Sequence, residues 1–347
     1  MANNMFDFRI SHRNWQEAVA SLFALLTAAS PGEVVVVVGP SRCGKTKLID
    51  HVSDLLFPDK SVFSGGKAPY VIVDAVNAGP NGSFSTKSFT LRMLATIKHP
   101  FYSLDNSDLE QMSEYKLLKM DRSTESSLRI ALERAFIIRG VLYLFIDEAQ
   151  HASYATKGAM GAHAVLDSWK CFAKSTQVVL VIVGAYPILN ILQNSPHMLG
   201  RKHQVHLPRY YPTEADLNEF VGILDAYETK LSMRGIKSDL KKHTRLLYGG
   251  SLGCIGLLRA WLMRAYAYAQ IHDNNISEKL LLVTKLPDSD LREIAAEIEH
   301  GEFLLSEDKS DWKSQKPKSP IRNVKKKEKL KPFQRKPKRE TEGNRSE

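Results

Sequence analysis

Residues 34–50 read VVVVVGPSRCGKTKLID, a β-branched apolar run that enters a glycine loop, ends in Lys-Thr and opens a helical pattern. Gly39, Gly44, Lys45 and Thr46 satisfy the G-x-x-x-x-G-K-[ST] spacing of a phosphate-binding loop. Glycines there let successive backbone N–H groups curl around an anion, and the helix behind the loop adds the positive end of its dipole. The expected nucleotide contacts are Gly39, Pro40, Ser41, Arg42, Cys43, Gly44, Lys45, Thr46 and Lys47. Lys45 would reach the outer phosphates as a point charge while the Thr46 hydroxyl holds magnesium, which makes ATP and Mg2+ the expected cofactors. Both flanks agree with this reading. Five valines suit a strand buried on both faces, and Leu48, Ile49, Val52, Leu55 and Leu56 keep helical spacing.

A second motif lies about a hundred residues on, at 141–151, where VLYLFIDEAQH is an apolar strand ending in paired carboxylates. Asp147 would sit at the carboxyl end of its strand and share the magnesium shell with Thr46, so the expected metal ligands are Thr46 and Asp147. Glu148, kept anionic beside the γ-phosphate, would polarise the attacking water and accept the proton that hydrolysis releases.

Around these motifs, short apolar runs alternate with helical patterns. A helix is predicted at 15–28, strands at 34–38, 70–76, 141–146, 178–183 and 204–208, and helices at 86–97, 123–138 and 163–173. Such alternation implies an α/β fold, a parallel sheet with helices on both faces. The character changes at Pro212. Thr213 and Asp216 resemble a capping box, and helices are predicted at 238–248, 252–271 and 290–300, with Gly249 and Gly250 separating the first two. The expected organisation is a nucleotide-binding core over 1–212, a small all-helical unit over 213–305 and a tail over 306–347.

Charge singles out that tail. The chain carries a net +10, of which residues 306–347, with fifteen Lys and Arg against seven Asp and Glu, hold +8. Few apolar residues accompany this charge, so the tail is expected to be disordered in isolation. It could bind phosphates nonspecifically, with a steep salt dependence. Three scattered cysteines, Cys43, Cys171 and Cys254, show no metal-like spacing, and no apolar run reaches the roughly 18 residues of a membrane span. A reducing, cytoplasmic setting is expected.

The Asp-Glu-Ala-Gln-His string at 147–151, with the phosphate loop and the helical unit after Pro212, resembles the TnsC/TniB family of AAA+ transposition regulators, especially the short TnsC proteins of CRISPR-associated transposons. The resemblance covers residues 15–300. It implies an AAA+ P-loop core followed by a helical lid. It further implies an ATPase that oligomerises as a ring or filament on double-stranded DNA, linking a TniQ-type target-selection protein to transposase subunits. The alternative client class is a helicase-loading or replication-initiating machine. A scaffold held together by ATP with hardly any turnover is a third reading.

By the same resemblance, one subunit supplies an arginine to its neighbour's γ-phosphate. Arg201 matches that place best, with Arg209 as competitor. AAA+ proteins usually carry a polar residue at the end of the fourth strand, where this chain has Gly184-Ala185-Tyr186, and a lid arginine where it has Gly249 to Gly253. Both departures favour slow switching. His151 would relay nucleotide state or simply pack in its turn. Lys87, Lys119 and Arg122 are the expected DNA contacts, as positive groups facing a pore.

Overall fold

Alternate valines of the 34–38 run face opposite layers of the protein. In the computed structural model, which describes residues 10–79, 82–103, 119–155, 158–193, 202–271 and 274–306, this run is strand β1 (Val34–Val38). Val34, Val36 and Val38 join one apolar cluster while Val35 and Val37 join another, all at most 2% exposed. Full burial of each side chain stabilises the fold by roughly 1.5–3 kcal/mol, which is why both faces of the strand must be apolar.

Helix α1 (Arg13–Ala28) precedes β1 and α2 (Lys45–Leu56) follows it. Both cover the sheet face that buries Val35 and Val37, with Leu22, Leu26, Leu48 and Ile49 fully buried there. Strand β2 (Tyr70–Asp74) leads to α3 (Thr86–Thr96) and α4 (Glu125–Arg139), and β3 (Tyr143–Asp147) leads to α5 (Gly158–Thr176). Then come β4 (Val179–Gly184), α6 (Ile188–Gln193) and β5 (Lys202–His206). Helices α3 to α6 supply the opposite layer through residues such as Phe89, Phe136, Trp169 and Leu189.

All five strands run parallel in the order β2-β3-β4-β1-β5. Their register aligns Val38 with Gly184 and His206, and Asp74 with Asp147. The carboxyl ends therefore lie along one edge, where ligands of such sheets bind. The expected parallel sheet with helices on both faces is the observed one.

Beyond β5, helix α7 (Glu214–Ser232) starts at Thr213, whose side chain accepts from the Asp216 N–H. Strand β6 (Lys237–Ser238), α8 (Thr244–Ser251), α9 (Ile255–Ile271), strand β7 (Asn275–Ile276) and α10 (Glu278–Thr284) follow. They close a second core around Phe220, Tyr227, Trp261 and Leu262. Gly249 and Gly250 do not separate helices as expected, since both lie inside α8. A Cβ at 250 would stand 2.3 Å from the Trp261 ring, so the glycine serves the helix packing, and the turn comes later, at Leu252 and Gly253 with φ of 53° and 72°. The β6/β7 pair and α10 are too short to leave a periodic signal.

The last helix, α11 (Asp288–Leu305), returns to the sheet and buries Ile298 in the core beneath it. The described residues form one compact unit. The expected tail lies outside the described residues, apart from Ser306. No single helix among the described residues is long and apolar enough to cross a membrane.

Candidate nucleotide site

A cleft of about 690 Å³ opens at the carboxyl edge of the sheet, between the loop after β1, the start of α1 and helix α9. Its size and mixed lining suit a small organic ligand with charged groups. The loop places Gly44 at φ 105° just before α2, and Lys45, the first residue of that helix, is 7% exposed. The Lys45 ammonium donates to the carbonyls of Gly39 at 3.1 Å and Pro40 at 2.8 Å, which holds it along the inner wall of the loop.

Thr46 and Asp147, 101 residues apart in sequence, meet here. Thr46 Oγ1 donates to Asp147 Oδ2 at 2.5 Å, and the Glu148 N–H donates to Asp147 Oδ1 at 2.7 Å. Asp147 is 1% exposed, and burial pushes its carboxyl above the ordinary carboxylate range against the opposing effect of those hydrogen bonds. A hydroxyl and a carboxylate are the hard oxygen donors that magnesium prefers, and a buried carboxylate gains from a cation beside it, so this pair fits the expected Mg2+. Glu148 shares the cleft wall with Lys45 and Thr46. Its backbone takes the left-handed region at φ 52°, which turns the chain sharply after β3.

The other loop residues divide by environment. Ser41 Oγ donates to Glu297 on α11 at 3.3 Å, so the last helix touches the phosphate loop. Arg42 and Lys47 line the cleft, and Lys47 pairs with Asp50 at 3.4 Å. Cys43 is buried with its thiol pushed up by burial, which marks it as a packing residue.

Gly256, in the first turn of α9, shows how closely the helical unit approaches. A Cβ at this position would lie 1.6 Å from the Arg42 carbonyl oxygen. On the same helix, Arg259 faces the cleft, a position the sequence reading missed because it sought a lid arginine at 249–253.

Gln150 is a second residue without an expected role. It follows Glu148 in a short 3-10 turn (Ala149–Tyr154), donates to the Glu148 carboxylate through Nε2, and accepts from the Ala185 N–H through Oε1 at 3.0 Å. His151 packs in the same turn, with Nδ1 at 2.7 Å from the Ala75 carbonyl oxygen.

Arg201 lies outside the described residues. Arg209 is engaged within its own chain, since Nε and Nη2 donate to the two carboxylate oxygens of Glu302 at 2.8 and 2.9 Å. This bidentate pair, less than 20% exposed on each side, commits the guanidinium to its own chain in this structure.

Of the expected DNA contacts, Lys87 Nζ donates to the Asp121 carbonyl at 2.7 Å, bringing the start of α3 against the segment that holds Lys119 and Arg122. Lys119 Nζ also stands 4.2 Å from the centre of the Phe101 ring, and Arg122 is exposed. The three residues thus share one neighbourhood.

This fold, with its phosphate loop and the carboxylates after β3, is an AAA+ P-loop core, and residues 29–192 match the family model described as an AAA domain. Among solved structures the chain is similar to a Walker-type ATPase of Pyrococcus abyssi, at 15% identity and TM-score 0.52 over 86% of this chain and 78% of that one. It is similar to the ORC2 protein of Aeropyrum pernix in ADPNP-ADP complexes, at 15% identity and TM-score 0.53 over 84% and 73%. Cdc6p from Pyrobaculum aerophilum gives 14% identity and TM-score 0.50 over 80% and 66%. At such identities the likeness speaks for the fold. No curated protein matches the chain by sequence.

Proposed function

We propose that the protein is an ATP-hydrolysing AAA+ switch that assembles on double-stranded DNA and regulates transposition. The observation that carries the hydrolytic part is that Thr46, which lines one cleft with Lys45 and Glu148, is hydrogen-bonded to Asp147. Lys45 neutralises charge on the outer phosphates. Thr46 and Asp147 offer oxygen donors to Mg2+, which when bound supplies further neutralisation of phosphate charge. Glu148 takes a proton from the attacking water as the new oxygen–phosphorus bond forms and the bond to the β-phosphate oxygen breaks, leaving ADP and phosphate. An arginine from a neighbouring subunit, for which Arg201 is the candidate, would tie turnover to assembly.

The DNA and transposition parts rest on the resemblance carried by residues 147–151 and on the shared neighbourhood of Lys87, Lys119 and Arg122. In this reading subunits form a ring or filament, a TniQ-type protein selects the target, and transposase subunits are recruited. The likeness in fold to ORC2 and Cdc6p supports a second reading, a helicase loader or replication initiator. Imaging with duplex DNA and a nonhydrolysable ATP analogue tests assembly. Capture experiments with transposase, TniQ-type protein and helicase separate the clients, since retention of helicase alone rejects transposition.

A further inference from the structure

We infer that Gln150 is a positioning residue for the hydrolytic reaction, its side-chain amide fastening the Glu148 carboxylate to the end of β4. The inference rests on the hydrolytic reading given above. Ala185, just past β4, offers its backbone N–H to Gln150 Oε1 at 3.0 Å. A backbone N–H can only donate, so the amide oxygen must face β4, and the amide nitrogen is left to donate to the Glu148 carboxylate, as observed. One planar group therefore spans the gap between a fixed backbone and a catalytic side chain.

Two further observations support the bridge. Glu148 is exposed and begins a sharp turn at φ 52°, so without a tether its long side chain would sample several rotamers. Holding a glutamate in one rotamer opposes its side-chain entropy, and a displacement near 1 Å can lower a rate by about a hundredfold. Gly184 supplies the second observation. A Cβ at 184 would stand 2.8 Å from Gln150 Oε1, so any side chain there competes with the amide for one space. The bare end of β4 and the long side chain at 150 are complementary, and the polar group presented to Glu148 comes from the turn after β3.

The test is steady-state ATP turnover by the full chain with duplex DNA, reading kcat and KM separately. Gln150→Leu keeps most of the side-chain volume and removes both hydrogen bonds. It should lower kcat by about 10- to 100-fold, with KM for ATP and binding of a fluorescent ATP analogue within about twofold. Gly184→Asn should lower kcat similarly by displacing the amide. Combining Gln150→Ala with Gly184→Asn frees that space for the new amide and should raise kcat about tenfold above Gln150→Ala alone, which a merely structural role would not do. Wild-type kcat in Gln150→Leu, or no recovery in a folded double variant, overturns the inference. If the Gly184 variants do not fold, the kcat and KM of Gln150→Leu decide it. A wild-type chain without turnover rejects the hydrolytic reading and this inference together. Turnover that Gln150→Leu leaves unchanged rejects the inference alone.

Discussion

Thr46 and Asp147 are joined by a 2.5 Å hydrogen bond from the helix that follows the phosphate loop to the last residue of β3. The contact holds a nearly inaccessible carboxylate at the position proposed for Mg2+, and such burial has a stability consequence.

Burial raises the folded-state pKa of Asp147 above its ordinary 3.8. A raised pKa favours the protonated form on folding, so the associated stability is present below the ordinary value and lost as pH rises through the folded one. Above that folded value, without nucleotide or metal, the ionised and desolvated group opposes folding. Asp147→Asn should therefore stabilise the nucleotide-free protein by about 1 kcal/mol while abolishing turnover. Thermal melting in the presence of a chelator checks this, and a lower melting temperature would contradict it.

Acid should act through His12, whose pKa burial pushes down to about 4 from 6.5. Its Nδ1 accepts from the Trp15 N–H at 3.3 Å and pairs with the Tyr210 hydroxyl at 2.9 Å, so the ring is held neutral at that nitrogen. A depressed pKa gives stability that is present above 6.5 and lost as pH falls towards 4. His12→Asn retains a capping side chain without the titration. Its melting temperature should fall less steeply over that pH window, and parallel curves would refute the assignment.

The Arg209–Glu302 pair fastens α11 to the segment after β5. Arg209→Ala should cost about 3 kcal/mol by leaving a partly buried carboxylate unpaired, and the double Arg209→Ala/Glu302→Ala variant should lose less than the sum of the single losses. Below their melting temperatures these variants should keep turnover. Loss of turnover with unchanged melting would favour Arg209 as an intersubunit finger.

Helix α9 reaches the phosphate loop only because residue 256 is glycine. Overpacking such a contact costs about 1–3 kcal/mol, so Gly256→Ala should weaken ATP binding about tenfold or more. Calorimetric titration with ATP checks this, and unchanged affinity would mean that the cleft tolerates a displaced α9.

Much of this organisation is legible in residues that act locally. The valine run, the loop glycines and the helical spacing behind them each constrain neighbouring residues, so β1, the loop and α2 can be read directly. Asp147 is readable because a strand's end is a position along the chain. Gly250 misleads because its small size serves Trp261, eleven residues away, and nothing nearby reveals that. Arg209 and Glu302 lie 93 residues apart, and Gln150 and Ala185 lie 35 apart. Such pairs exist only once the sheet has brought distant ends together. Arg259 is a similar case, since its place in the cleft depends on how α9 crosses the phosphate loop.

Under the proposed function, Glu148 drives hydrolysis in a site that binds nucleotide independently of it. Phosphate release by the full chain, with ATP, Mg2+ and double-stranded DNA, should be abolished in Glu148→Gln while binding of a fluorescent ATP analogue is retained. Lys45→Ala should lose the binding as well. Phosphate release at the wild-type rate from Glu148→Gln would exclude Glu148 from that role.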